Sequence, residues 1–173
     1  MGYVEAFIGL GSNLNDPIQQ LSKAVGAIEC ISETELTNVS SFYRNPPLGD
    51  ISQPPFVNAV ARVETRLGAE DLFLAMVEIE CSLGRPIKRE KWSARIIDLD
   101  LLIHGKAIIE SDALTVPHPQ IGSRSFVLFP LFEIAPNTVV PGLGTVRKLL
   151  SDKDVSSLED TKFVWTNSMK ELG

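Results

Sequence analysis

The eleven residues from Arg95 to Gly105, RIIDLDLLIHG, constrain the fold more than any other stretch, because two carboxylates stand inside an aliphatic run. β-Branched and long aliphatic residues closed by a glycine read as a strand, in which alternate side chains share a face. Ile97, Leu99, Leu101 and Ile103 then make one wholly apolar side, and Ile96, Asp98, Asp100, Leu102 and His104 the other. A helix, at ~100° per residue, would aim the two acids about 200° apart, so only a strand points both carboxylates the same way. Such a pair repels itself unless a cation sits between. Oxygen-only ligation by two short carboxylates suits a hard ion, and Mg2+ is commonly held by one or two carboxylates with waters and substrate phosphates. Acids at a strand end, facing water or pairing with nearby arginines, would give the same pattern and stand as the alternative.

Five of the sixteen basic residues, Arg85, Lys88, Arg89, Lys91 and Arg95, fall within eleven positions directly ahead of the aspartates. Most such runs are solvated loops. Beside paired carboxylates, however, the run fits a polyanion bridged to a metal, since phosphate is met by arginine forks and a cation together. The net charge of −6 argues against indiscriminate binding to nucleic acid or anionic membrane. With 173 residues, 44% hydrophobic and 22% charged, one soluble globular domain spanning 1–173 is expected. Cys30 and Cys81 lack disulfide or zinc spacing, no signal peptide or myristoylation motif opens the chain, and no apolar run nears the ~18 residues of a membrane span. A cytoplasmic protein is expected.

Tyr3 to Leu10 alternates as a strand and ends in Gly-Ser-Asn. Asp16-Pro17 reads as an N-cap and first helical residue, with Ile18, Leu21, Val25 and Ile28 on one helix face. Glu35 to Tyr43 and Phe56 to Thr65 are strand candidates, separated by RNPPLGDISQPP, whose four prolines and one glycine exclude regular structure. Ala69 to Leu83 is the second helix, with Leu72, Met76, Ile79 and Leu83 inward and Gly84 as its stop. The aspartate strand and a brief strand through Ile109 follow. This order is β-α-β-β-α-β, an α+β, ferredoxin-like plan with C-terminal additions: VPHPQ, the apolar RSFVLFPLFEIAP, and a short helix near Thr145 to Ser151. The core spans about 3–150, and no role is read for residues 152–173.

Gly9 and Gly11 lack the third glycine of a dinucleotide fingerprint and there is no P-loop, so GSN is read as a tight turn that lets a ligand approach the backbone. The proline-rich loop is long enough to suggest function. Phe56 and Asn58 share a strand face, pairing an aromatic plane with an amide, although each alone reads more readily as core or surface filler than as a ligand contact. His118, framed by prolines, and Arg124 stand in one loop; a lone histidine is usually structural, but the pair beside a phosphate site is less easily dismissed. Glu80 precedes the cationic run and is a candidate for holding an adenine or ribose, whereas Glu78 reads as a surface helix residue.

Together GSNL (11–14), SFYRNPPLG (41–49), FVNAV (56–60), EIECSLGR (78–85), WSARIIDLDLLIHG (92–105) and VPHPQIGSRSFVLFPLFEIAP (116–136) resemble the 6-hydroxymethyl-7,8-dihydropterin pyrophosphokinases of folate biosynthesis. The resemblance implies transfer of pyrophosphate from ATP to the pterin hydroxymethyl group, giving AMP, with two Mg2+ ions. It implies that Asp98 and Asp100 hold metal, and that Arg85 and Arg95 act on the phosphates. It assigns Glu80, Trp92, Leu101, Thr115, His118 and Arg124, with the same two arginines, to ATP. To the pterin it assigns Asn45, Pro46, Leu48, Phe56, Asn58 and Phe126. Phe56 stands where tyrosine is common, Asn45 where Thr or Ser is usual, and Ile87 where some members carry an arginine, with Lys88 or Arg89 as substitutes. A monomer is expected, with no nucleic-acid or membrane partner. Two other readings remain at this point: a nucleotide-sugar glycosyltransferase using Asp98-Leu99-Asp100 as a DxD, and an RNA-binding ferredoxin-like module. The latter lacks paired aromatics in a basic strand motif.

Overall fold

A computed structural model describes residues 2–46, 52–86 and 95–166 of the chain. The elements begin with β1 (Val4–Ser12), α1 (Pro17–Glu29), β2 (Thr34–Val39), β3 (Tyr43–Asn45), β4 (Phe56–Thr65), α2 (Ala69–Ser82) and β5 (Asp98–His104). They continue with β6 (Ile109–Glu110), β7 (Thr115–Val116), α3 (Ser125–Ile134), β8 (Val139–Val140), β9 (Gly144–Thr145), α4 (Val146–Leu150) and β10 (Glu159–Asp160). It is a mixed α/β architecture on an antiparallel sheet ordered β10-β3-β4-β1-β5, with β2 also paired to β4. Leu48, Trp92, Ile87, Lys88, Arg89 and Lys91 lie outside the described residues.

Local chemistry explains the boundaries. The Asp16 carboxylate accepts from the Gln19 N–H and Pro17 supplies a first helical residue that needs no partner for an N–H, so α1 starts where its cap dictates. Gly84, at φ +100°, turns the chain out of α2. The segment expected as one strand from Glu35 to Tyr43 is two, β2 and β3, both on β4. The break is at Ser40, which is fully buried: its hydroxyl, in place of a backbone carbonyl, accepts the Val60 N–H at 2.9 Å.

The sheet buries both faces. On one, Ala6, Ile8 and Leu10 of β1, Val57, Ala59, Ala61 and Val63 of β4, and Leu99 and Leu101 of β5 pack against Leu21, Val25 and Ile28 of α1 and Leu72, Met76 and Ile79 of α2. On the other, Phe7, Val60, Leu102 and Ile103 pack against Val127, Leu128 and Leu131 of α3. The expected all-apolar side of the aspartate strand therefore needs correction at its end. Ile8 pairs with Leu101 but Phe7 with Ile103, so Leu102 is an extra residue. That bulge carries Ile103 over to the α3 side. His104, beyond it, is buried with Nε2 2.9 Å from the Leu67 carbonyl.

Candidate active site

The polar side chains of the site lie on the α3 side of the sheet, where β1 carries glycine instead of large side chains. Gly11 pairs with Asn58 on one flank and Asp98 on the other; Gly9 pairs with Val60 and Asp100. Tyr43 extends the Gly11 row beyond Asn58, and Asn45 pairs with Phe56 in the next. A Cβ on Gly11 would stand 2.8 Å from Asn58 Nδ2, so the missing side chain is the space the carboxamide occupies. At ~4.8 Å between strands, Asn58 and Asp98 are about 10 Å apart across the sheet. The glycines thus set a floor between an amide and a carboxylate.

Ser12 and Asn13, both buried, bracket this floor. The Asn13 N–H donates to the Arg95 carbonyl at 2.9 Å, and the Arg95 N–H returns a 2.7 Å bond to Asn13 Oδ1. Asn13 Nδ2 donates to Gln53 Oε1 at 3.0 Å and to the Pro54 carbonyl at 3.2 Å. One side chain therefore ties the backbone ahead of the aspartates to the exit of the proline-rich loop. GSN is more than a small-residue turn. This bracket was missed in the sequence because the partners lie about forty and eighty residues away.

Arg95 reaches Asp98 with Nη1 3.2 Å from Oδ2, and His118 Nε2 is 3.8 Å from Asp100 Oδ1. His118 Nδ1 accepts from the Gln120 N–H at 3.2 Å, which leaves Nε2 to carry the proton of the neutral ring. Burial holds His118 below its ordinary pKa; Asp100 opposes that shift and Arg124 reinforces it. One guanidinium, one neutral imidazole and two partly exposed carboxylates thus meet at the end of β5. Among the described residues no cluster of three or more acidic, His or Cys side chains closes around them. The donor set fits a hard cation that keeps positions for water and phosphate oxygens.

Asp100, Leu101, Thr115 and His118 converge on a cleft of about 250 Å3, whose walls also include Phe73, Ser111 and Asp112. Those last three were not singled out in the sequence: Phe73 sits on an ordinary helix and Ser111-Asp112 in an ordinary turn. Glu80 is not among the residues lining the cleft. It is buried, and its carboxylate is ion-paired with the Arg85 guanidinium. Arg124, at the N-cap of α3, lies over the Phe126 ring at 5.6 Å. Across the glycine floor, the Asn45 and Asn58 amide oxygens are buried without a hydrogen-bond partner among the described residues. An unpaired buried acceptor costs ~1–3 kcal/mol, so two of them side by side mark a place for donors on a ligand. Pro46 is exposed beside Asn45, at the start of the loop.

A sequence model of the 7,8-dihydro-6-hydroxymethylpterin-pyrophosphokinase (HPPK) family matches residues 7–136. The 2-amino-4-hydroxy-6-hydroxymethyldihydropteridine pyrophosphokinase of Haemophilus influenzae is 44% identical over 147 residues, covering 85% of this chain and 91% of that protein. Its counterpart in Pseudomonas aeruginosa is 41% identical over 145 residues, covering 84% and 89%. Among solved structures, a wild-type Plasmodium falciparum HPPK-DHPS with pteroate superposes with a TM-score of 0.68 at 14% identity. The match covers 86% of this chain and 44% of that longer one, and it shows likeness of fold.

Proposed function

The chain belongs to the 7,8-dihydro-6-hydroxymethylpterin-pyrophosphokinase family, and from that membership we infer that it transfers the β,γ-pyrophosphoryl group of ATP to 6-hydroxymethyl-7,8-dihydropterin, releasing AMP. It is a pyrophosphokinase of folate biosynthesis. The observation that best supports this assignment is the glycine floor, with Asp98 and Asp100 on one side, the latter lining a cleft, and two amide acceptors unpartnered among the described residues on the other. The pterin ring edge carries N–H and amino donors, which are what Asn45 and Asn58 lack. Phe56 and Phe126 supply aromatic faces for a flat ring.

The nucleotide is assigned to the cleft at Leu101, Thr115 and His118, with its triphosphate toward Asp100, which lines that cleft, and Asp98 two residues before it on β5. Mg2+, with two ions expected, would be held by these carboxylates and would supply neutralisation of the triphosphate and a lowered pKa for the attacking hydroxyl. The pterin hydroxymethyl oxygen forms the new bond to the β-phosphorus as the bond from that phosphorus to the α,β-bridging oxygen breaks. Arg95, beside Asp98, and His118 and Arg124 are assigned to donate to phosphate oxygens, with Arg85, which pairs with Glu80, as a further donor. Catalysis then rests on alignment and charge compensation. Trp92 and Leu48 complete the assigned set from outside the described residues.

The strand order β5-β1-β4 with β2 and β3 outside β4 supports reading the fold as ferredoxin-like, in one domain over 1–173; an experimental structure with β4 at a sheet edge would overturn that plan. Neither the glycosyltransferase nor the RNA-binding reading is favoured, since the family and its relatives are named for pyrophosphate transfer. No helix among the described residues is long and apolar enough to cross a membrane. A cytoplasmic monomer is the proposed state, which fractionation and sedimentation would check. With ATP, Mg2+ and the hydroxymethyl dihydropterin, AMP is expected to form in step with pterin consumption. ADP as product, or no turnover, would overturn the function.

A further inference from the structure

Glu133 has no part in the chemistry above, yet its carboxylate accepts hydrogen bonds from three donors on the segment entering β3. It sits near the C-terminal end of α3, where the unsatisfied carbonyls disfavour a negative charge, and no basic residue of that turn offsets it. Its charge is met instead by the segment entering β3. The Ser41 N–H lies 3.1 Å from both carboxylate oxygens, the Ser41 hydroxyl donates to Oε1 at 2.7 Å, and the Tyr43 hydroxyl donates to Oε2 at 2.6 Å. Tyr43 is buried and meets Phe129 of the same helix edge-on, ring centroids 5.1 Å apart. Burial, then the neighbouring Glu133 charge, pushes the phenol well above its usual range, so it stays a donor at any physiological pH.

These bonds join the two walls between which the flat ring is assigned. Tyr43 pairs directly with Asn58, and Asn45 follows two residues later on the same strand face. Arg124 and Phe126 stand at the other end of α3, nine and seven residues before Glu133, roughly 10–14 Å along the helix axis. Helix α3 is thus a strut whose near end meets the phosphates and whose far end is bolted to the strand bearing the amide acceptors.

We infer that Glu133 is a positioning residue: by holding Ser41 and Tyr43 it fixes the spacing between the Asn45–Asn58 amide pair and the start of α3, and so governs pterin affinity without touching the pterin. The inference rests on the pyrophosphokinase reading and deepens it. Steady-state kinetics on Glu133→Ala, Glu133→Gln and Tyr43→Phe, with thermal unfolding alongside, test it. For Glu133→Ala the pterin KM is expected to rise about tenfold, ~1.4 kcal/mol, while kcat and the ATP KM stay within about twofold. Tyr43→Phe removes one of the bonds and should give about a threefold rise. Glu133→Gln still accepts from Ser41 and can donate to the Tyr43 oxygen, so it should return the pterin KM to within about twofold of the wild type. An unchanged pterin KM in a destabilised Glu133→Ala protein overturns the inference, as does an equal rise in both KM values. A wild type that makes no AMP overturns the function itself, and this inference with it.

Discussion

The central strand β1 presents two faces that obey opposite rules. Toward α1 and α2 it offers Ala6, Ile8 and Leu10, embedded in an aliphatic core; toward α3 it offers Phe7, then Gly9 and Gly11. On the first face side chains fill space, as a close-packed interior requires. On the second they withdraw, and Asn58, Asp98 and Asp100 stand beside the gap. Residues one step apart on β5 therefore serve different ends: Leu99 is held in the core, and its neighbours Asp98 and Asp100 are held by Leu99. A rigid floor under polar groups is what a reaction governed by alignment needs.

Mutations on the two faces should separate stability from turnover. The largest effect is expected for Asp98→Ala or Asp100→Ala, with kcat falling by about a thousandfold or more while the melting temperature holds, because relief of the repulsion between the two acids offsets the loss of the partly exposed contact with Arg95 or His118, and no packing is lost. Near-normal Mg2+-dependent turnover in either variant would break the comparison on the catalytic side. Leu99→Ala should do the reverse. It should cost about 2–5 kcal/mol in denaturant unfolding and leave the pterin KM of the folded fraction unchanged. Gly11→Ala comes next: its Cβ displaces the Asn58 carboxamide, and calorimetric pterin affinity should fall by ~1–3 kcal/mol. In an Asn58→Ala background the same change should have almost no further effect, since the displaced group is gone. Additive losses would show that Gly11 acts otherwise.

The smallest effect concerns pH. The Tyr43 phenol is held above its unfolded value near ~10, so its stabilising contribution is complete below pH ~10 and is lost as pH rises toward the folded value. Between those limits the wild type should lose up to about 1.4 kcal/mol per pH unit that Tyr43→Phe does not lose. Parallel alkaline unfolding curves for the two proteins would contradict that.

Much of the fold was legible because its signals are local. The Asp16-Pro17 cap, the Gly84 stop and the alternation of Phe56 to Thr65 each announce themselves within a few residues. The two aspartates were legible for the same reason, since a period of two is enough to align them. What stayed hidden depends on distant partners. Nothing near Ser40 says that its hydroxyl will replace a backbone carbonyl, and nothing near Leu102 says that β1 will admit an extra residue there. RSFVLFPLFEIAP shows no helical or strand period, being apolar almost throughout and interrupted by Pro130, yet Ser125–Ile134 within it forms α3, which covers the second face of the sheet. At Glu80 the expected ligand role meets a buried ion pair with Arg85, a partner five residues on whose reach periodicity alone does not reveal. Glu133 was overlooked because its donors, Ser41 and Tyr43, lie some ninety residues earlier.

The outer edge of β3 is closed by β10: Glu159 pairs with Arg44 and Asp160 with Tyr43, the Thr161 N–H and hydroxyl both reach the Phe42 carbonyl, and the Phe163 ring lies 4.8 Å from Phe42. That pairing spans about 115 residues of chain, so at ~5–20 residues per second of synthesis β3 waits roughly 6–23 s for its last neighbour. The strand that carries Asn45 is therefore among the final parts of the sheet to be completed on a growing chain. Nascent chains arrested before residue 158 should be cleaved by protease around Phe42 to Asn45 while β1, β4 and β5 are already protected. Equal protection of β3 at that length would show that β4 and Glu133 secure it without β10.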